Sequence, residues 1–152
     1  MRKLALGLAA VSVAAAGWLQ WSSDAATGPA QIRLTTKQVR YHRVDNEPSG
    51  RSPGDSEIIA HSLFNRGVST ERALGHSEFV CTFTIDTSRS CRGTFFLPRG
   101  TLVVGGSLRF RQIYQLAVLG GTGLYDNARG SLTVTRLRKT PRRDLMLFRL
   151  VG

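Results

Sequence analysis

The sequence predicts one all-β domain after an export signal: an eight-stranded antiparallel up-and-down β-barrel. Three observations predict this fold class. Pro and Gly recur at short intervals, the segments between them alternate polar with apolar residues, and no segment after the signal has helical periodicity. The two cysteines also have the spacing of facing residues in one hairpin. Eight strands are enough to close a barrel, which leaves no unpaired edge.

The N-terminal segment predicts export. Two basic residues precede an uncharged stretch that ends at Leu19, and Ser23 and Ala25 are small residues where a signal peptidase reads. We therefore expect residues 1–25 to be a signal peptide and residues 26–152 to form the barrel domain of a secreted, extracytoplasmic protein. An uncleaved, outward-facing anchor is the alternative, because the apolar stretch is close to the lower limit for spanning a bilayer.

Eight strands are expected between the Pro and Gly positions. They cover residues 31–44, 57–64, 77–86, 91–97, 101–111, 115–119, 128–137 and 144–151. The stretch 45–55, DNEPSGRSPGD, is polar, contains two prolines and two glycines, and is typical of a long surface loop.

Cys81 and Cys91 predict a disulfide, because two cysteines in an exported chain favour pairing. A hairpin centred on Asp86 places them directly opposite one another on the same side of the sheet. Their neighbours of the same parity, Ile85 among them, are apolar, whereas the opposite side carries residues such as Arg92. The cysteine side is therefore assigned to the barrel interior.

The interior is expected to be an apolar lumen that holds a small organic molecule. A solid core without a cavity is the alternative, because small eight-stranded barrels can be filled by their own side chains. The residues predicted to line the lumen are Phe79, Cys81, Phe83, Phe95, Leu102, Val104, Leu108 and Phe110.

The chain is strongly basic, with a formal net charge of +11. Such a field attracts nucleic acid or anionic lipid nonspecifically, yet no run of five basic residues occurs. The densest cluster, in residues 136–143, is expected in a hairpin loop. A solvated turn is the first interpretation of this cluster, and contact with an anionic polymer is the second. No specific nucleic-acid partner is predicted.

A glycine-rich string, GGTGLY at 120–125 followed by Ala-Arg-Gly at 128–130, is the most distinctive motif. A phosphate-binding loop would need a Lys-Ser/Thr pair and a following helix, and neither is present. Taken with its surroundings, the string resembles a segment of the allene oxide cyclase and dirigent-like superfamily. The Pro-Gly-Asp at 53–55, FFLPRGTLVVGG at 95–106 and the closing strand LMLFRLVG at 145–152 also follow the family order.

The resemblance runs from about Gln31 to the C-terminus and implies an eight-stranded barrel, often dimeric or trimeric, that needs no metal or organic cofactor. Plant cyclases of the superfamily control ring closure of a hydrocarbon epoxide, dirigent proteins steer radical coupling, and bacterial relatives include cofactor-free cyclases. The matching pattern puts His61 where the plant cyclases carry a lumen asparagine, and Cys81 at their lumen cysteine. A paired Cys81, and the lack of an equivalent carboxylate on the first strand, argue against allene oxide cyclisation itself.

Two functions fit the sequence. The first is a cofactor-independent cyclase or stereocontrol protein acting on a hydrophobic, polyketide-, lipid- or terpenoid-like substrate held in the lumen. The second is a noncatalytic, lipocalin-like or dirigent-like barrel that binds a hydrophobic ligand or an anionic surface polymer. Contact with a membrane is expected only through an uncleaved signal.

Three residues are the candidate catalytic groups: His61, Tyr41 and Glu57, each with a structural role as the alternative. Tyr114 and Tyr125 are expected at the rim of the opening. The three histidines of the chain lack ligand spacing, so no metal site is predicted.

Overall fold

The computed structural model describes residues 30–65, 72–85, 87–109, 111–140 and 142–151. The signal segment 1–25 and Phe110 lie outside these ranges, and both stay predictions of the sequence.

Eight antiparallel strands pair in chain order and close into a barrel, which confirms the predicted fold class. β1 pairs with β2 on one side and with β8 on the other, so the sheet has no open edge. The strands are β1 (Ala30–Val44), β2 (Ser56–Asn65), β3 (Gly75–Ile85), β4 (Ser88–Leu97), β5 (Gly100–Arg109), β6 (Ile113–Gly121), β7 (Arg129–Lys139) and β8 (Arg142–Val151).

The two ends of the barrel differ in character. We call the end at which β2, β4, β6 and β8 begin the upper end, and the opposite end, which holds the glycine-rich segment, the lower end. A single 3-10 turn, Gly123–Tyr125, is the one helical element that the described residues contain.

The β3–β4 hairpin has the predicted register. Cys81 faces Cys91, and the two sulfurs form a disulfide. The register shifts beyond Phe83, so Ile85, which the alternation placed inside, is 55% exposed. A bulge adds one residue to one strand and reverses the side on which the following side chains lie.

β4 begins at Ser88, three residues before the predicted start at Cys91. The sequence Ser-Arg-Ser at 88–90 is polar and lies between two predicted strands, but it pairs fully with β5. The longer strand puts Arg89 opposite Phe83, on the inner face of the hairpin.

A bulge also reverses the inner face of β1. The register with β2 shifts between Gln38 and Arg40. Below this bulge Thr36 is fully buried, whereas above it Tyr41 pairs with the buried Ile59. Because facing partners share a side of the sheet, Tyr41 lies on the inner side at the upper end.

Aromatic side chains seal the middle of the barrel. The rings of Phe79, Phe95 and Phe148 meet edge to face, with centroids 5.5 Å and 4.9 Å apart. Edge-to-face contacts of this kind stabilise a core beyond the burial of their area. Gly93 makes room for this stack, because a Cβ there would lie 2.5 Å from the Phe79 ring.

The glycine-rich segment forms a tight turn at the lower end. A Cβ on Gly121 would lie 2.5 Å from the carbonyl oxygens of Thr101 and Tyr125. Gly123 adopts a φ of 63°, in the left-handed region. The Thr122 hydroxyl accepts a hydrogen bond from the backbone N–H of Thr101. These contacts give the motif a structural role in this chain.

The loop between β1 and β2 is organised by Asp55, which is fully buried. Its carboxylate accepts hydrogen bonds from the backbone N–H groups of Ser52 and Asn46 and from the Arg43 guanidinium. The hydrogen bonds from Ser52 and Arg43 hold the pKa of Asp55 well below its usual range. Asp55 is therefore a loop anchor.

In the part of the chain that the structure describes, no helix is long and apolar enough to cross a membrane.

Removal of the disulfide should lower the free energy of unfolding. The bond closes a short loop between residues ten apart, so the double variant Cys81→Ala/Cys91→Ala should lose about 3 kcal/mol. Urea unfolding measures this loss. A reductant should destabilise the wild type and leave the double variant unchanged; equal stability of wild type and variant would contradict the prediction.

Candidate functional site

A small cavity lies in the upper half of the barrel, above the aromatic stack. Its volume, counted as room for the centre of a water molecule, is about 20 Å³, which suffices for a single water. Most of the lumen is thus filled by the side chains of the barrel, and a larger ligand needs groups at the upper end to move. Apolar walls come from Ile59, Phe79, Leu108, Leu116, Met146 and the Cys81–Cys91 disulfide, and polar groups from His61, Arg89, Tyr114, Arg142 and Asp144.

Asp144 is the acid of this cavity, and it is 1% exposed. Its Oδ1 is buried and has no hydrogen-bond partner among the described residues, while Oδ2 lies 3.9 Å from Nε of Arg142. The Thr36 hydroxyl donates to the carbonyl oxygen of Asp144 and accepts from its N–H, which fixes the backbone.

Burial raises the pKa of Asp144, although the charges of Arg142 and Arg136 oppose the shift. The carboxyl therefore keeps its proton to higher pH than an aspartate in water. A protonated carboxyl in an apolar cavity can donate a hydrogen bond or a proton.

His61 lies on β2 and is 5% exposed. Its Nδ1 is 3.3 Å from the Ser77 hydroxyl, and its ring meets Phe79 edge on at a centroid distance of 5.9 Å. Burial, followed by the charge of Arg142, lowers the pKa of His61 to about 4. The imidazole is therefore neutral at neutral pH, with Nδ1 engaged by Ser77.

Glu57 and Arg89 form an ion pair at the upper end, and each is 3% exposed. Tyr41 donates its hydroxyl hydrogen to Oε1 of Glu57 over 2.7 Å. Burial lowers the pKa of Arg89 to about 10, which still leaves the guanidinium charged at neutral pH. Tyr41 and Glu57 thus lie together but are not part of the cavity lining, whereas Arg89, the partner of Glu57, is part of it.

Tyr114 and Arg142 line the upper part of the cavity, which we call its opening, and Arg136 lies against Tyr114. The guanidinium carbon of Arg136 lies 5.9 Å from the centre of the Tyr114 ring. Burial raises the pKa of the Tyr114 hydroxyl, so it is a neutral hydrogen-bonding group. The side chain of Arg142 is 28% exposed, which makes it the group best placed to move when a ligand enters.

The predicted lumen residues that the structure describes divide into three sets. Phe79, Cys81 and Leu108 line the cavity. Phe83 is buried near the upper end, and the centre of its ring lies 5.8 Å from the guanidinium carbon of Arg43. The remaining described members are packed in the core: Phe95, Leu102 and Val104.

Sequence reasoning missed the charged members of the site. Asp144 has the same parity as Met146 and Phe148, and Arg89 has the same parity as Cys91. The alternation that located the core therefore also points these charges inward. They were missed because a charged residue near a turn ordinarily indicates solvent. Tyr114 was expected at a rim, and it lines the cavity.

A second depression lies at the lower end, with a volume of about 320 Å³ by the same measure. Tyr125 belongs to this depression, so the two predicted rim tyrosines lie at opposite ends of the barrel. The lower depression is larger and more open, but none of its charged side chains is buried. The upper cavity is the better candidate because it combines enclosure with buried polar groups.

Within the described ranges, no group of three or more His, Cys, Asp or Glu side chains could hold a metal ion. No protein-family model matches the chain, and no curated protein matches it.

Solved structures do match. A pyocyanin demethylase superposes with a TM-score of 0.70 and 23% identity, covering 80% of this chain and 100% of the other. The Diels-Alderase of Streptomyces koyangensis gives a TM-score of 0.63 and 13% identity over 85% and 72% of the two chains. A pterocarpan synthase dirigent protein gives 0.62 and 15% over 80% and 82%. The chain has the dirigent-type barrel fold.

The resemblance that the sequence suggested is thus confirmed at the level of the fold. Identities of 13% to 23% leave the activity of this dirigent-type barrel open. Its function has to be argued from its own cavity.

His61 should make the stability of the barrel depend on pH. Its pKa in the folded state, about 4, lies below the value of 6.5 for a free histidine, so the unfolded chain takes up a proton first as the pH falls. Wild type should lose about 3 kcal/mol relative to His61→Gln between pH 7.5 and pH 4. Urea unfolding at both pH values measures the difference.

His76→Gln is the matched control, because His76 is exposed on the outer face and stacks on Phe96. The control should follow the wild type at both pH values. A constant difference between wild type and His61→Gln would contradict a buried neutral imidazole.

Proposed function

We propose that this chain is a cofactor-free catalyst that binds a hydrophobic small molecule in the upper cavity and promotes its ring closure or isomerisation by proton transfer from Asp144. The observation that carries the proposal is a buried carboxyl with a raised pKa and an unpartnered oxygen in the wall of a cavity that also has an aromatic and aliphatic lining. Groups with a shifted pKa cluster at functional sites because catalysis needs the shift. Burying such a group costs stability.

The chemistry needs no other reagent. The Asp144 carboxyl donates its proton to a carbonyl oxygen or ring nitrogen of the substrate, and the bonds of the substrate rearrange. A proton released elsewhere on the molecule returns to the carboxylate, directly or through His61. Since Ser77 engages Nδ1 of His61, we assign Nε2 to the substrate. Atoms and electrons balance, and the product is an isomer of the substrate.

The walls supply the second contribution, which is positioning. Phe79, Leu108 and Met146 present buried apolar surfaces, and a flexible substrate held between them loses its unreactive shapes before the chemical step. Substrate has to displace the two groups at the opening, Tyr114 and Arg142. Closure of these groups over the ligand would then exclude water.

The solved neighbours support this class of function. They include a Diels-Alderase and a dirigent protein, whose names describe ring formation and the synthesis of a pterocarpan. A second candidate is turnover of pyocyanin, because the protein named pyocyanin demethylase is matched over its whole length. We also propose that the protein works outside the cytoplasm, since its disulfide persists best in an oxidising compartment.

The test begins with the natural ligand. The full chain is expressed with export into an oxidising compartment, and the purified protein is extracted with organic solvent for mass spectrometry. The recovered compound, and pyocyanin as a defined probe, are then incubated with the protein, and products are followed by chromatography. We expect a compound that is converted into a product of the same mass.

Asp144→Asn should lower the turnover rate by about 100-fold, because it removes the proton donor and keeps the shape. Its affinity for the compound should stay within about threefold. Wild-type turnover should fall as the pH rises through the raised pKa of Asp144. The stability of the variant at pH 8 should equal or exceed that of wild type by about 1 kcal/mol, because a buried charge without a hydrogen bond is removed.

Glu78→Gln is the matched control, since Glu78 is exposed on the outer face of β3, and it should behave like wild type. Full activity of Asp144→Asn would rule out the proposed acid. A compound that binds but is never converted would instead identify a noncatalytic binding barrel.

A further inference from the structure

Two arginines of the basic cluster turn into the barrel. Arg136 on β7 lies directly opposite Asp144 on β8 in the strand register. Arg142 precedes Asp144 by two residues on the same strand. Facing partners and residues two apart share a side of a sheet, so all three lie on the inner side. The predicted hairpin is present, but these two members of the cluster are not part of a solvated turn.

These two guanidinium groups lack sufficient acidic partners. The other inner cations have theirs: Arg89 pairs with Glu57, and Arg43 pairs with Asp45 and Asp55. Among the described residues, the carboxyl that acts on both Arg136 and Arg142 is Asp144, whose Oδ2 lies 3.9 Å from Nε of Arg142. Burial keeps that carboxyl protonated to higher pH than usual. A net positive charge therefore remains at the opening.

The position of Arg136 is costly for the fold. Its Nε is buried and has no hydrogen-bond partner among the described residues. Burial, with the nearby charge of Arg142, lowers its pKa. A buried donor without a partner destabilises the protein unless a ligand supplies the acceptor.

The surroundings restrict what that ligand can be. Directly below the two arginines lie the Tyr114 ring and the apolar walls of the cavity. A molecule that satisfies both regions has an acidic head and an apolar body. An anionic polymer could contact the outer arginines but could not enter a closed barrel.

We propose that the natural ligand is a hydrophobic molecule with one anionic group, such as a carboxylate, held between the guanidinium groups of Arg136 and Arg142 while its apolar part occupies the cavity beside Asp144. This inference rests on the proposed function and adds the chemical class of the substrate. It also orients the substrate, because the anionic head stays at the upper end and the apolar part faces the acid.

The test uses two probes of the same size, 2-naphthoate and 2-naphthamide, whose affinities for the full chain are measured by isothermal titration calorimetry. Naphthoate should bind at least about tenfold more tightly than naphthamide, because only its carboxylate forms charge-assisted hydrogen bonds. Arg142→Gln and Arg136→Gln should each weaken naphthoate by about fivefold and leave naphthamide within about twofold.

Arg149→Gln is the matched control. It removes the same charge from β8, but its side chain is exposed on the outer face, so naphthoate affinity should not change. Equal affinity of the two probes for wild type, no binding of naphthoate at 5 mM, or an equal loss in Arg149→Gln and Arg142→Gln would overturn the inference.

A cavity-filling variant separates this inference from the proposed function. Ile59→Phe narrows the cavity and should weaken both probes; Leu108→Phe replaces it if the melting temperature shows that Ile59→Phe does not fold. If Ile59→Phe abolishes naphthamide binding and the wild type binds both probes equally, the proposed function stands and the anionic ligand is rejected. If Ile59→Phe and Leu108→Phe both bind the two probes as tightly as the wild type does, the probes bind outside the lumen and both proposals are rejected.

Discussion

Closure of the sheet is the constraint on which the rest of this structure depends. Once β8 pairs with β1, every strand has a partner on each side, and each side chain is committed to the inside or the outside by its parity. Charged residues with inner parity cannot turn outward without breaking the ladder. Glu57, Arg89 and Asp144 are buried for this reason.

The two halves of the lumen manage this constraint differently. Below the cavity, the rings of Phe79, Phe95 and Phe148 pack edge to face across the middle of the barrel. Above the stack, inner positions carry polar and charged side chains, some of them paired with one another, and a cavity remains between them. The aromatic stack is packed with apolar side chains alone, whereas the upper half buries polar groups, which costs stability.

The strong positive charge of the chain has two separate meanings. Outer arginines such as Arg92 and Arg149 are exposed and give the protein a diffuse basic field. Arg136 and Arg142 belong to the interior, where a guanidinium acts on one bound group at short range. A net charge of +11 cannot distinguish these roles, because a formal charge does not say whether a side chain points into the barrel or into solvent.

Much of this protein could be predicted from its sequence, because alternation with a period of two is a local property of each strand. All eight strands, the hairpin register that joins Cys81 to Cys91, and the inner side of β3 as far as Phe83 follow from it. The tertiary structure decided the extension of β4 to Arg89, the reversal of β1 at its bulge, and the size of the cavity. These depend on which strands meet and how side chains from all eight fill one tube, and no local pattern encodes a contact between residues that are a hundred positions apart, as Thr36 and Asp144 are.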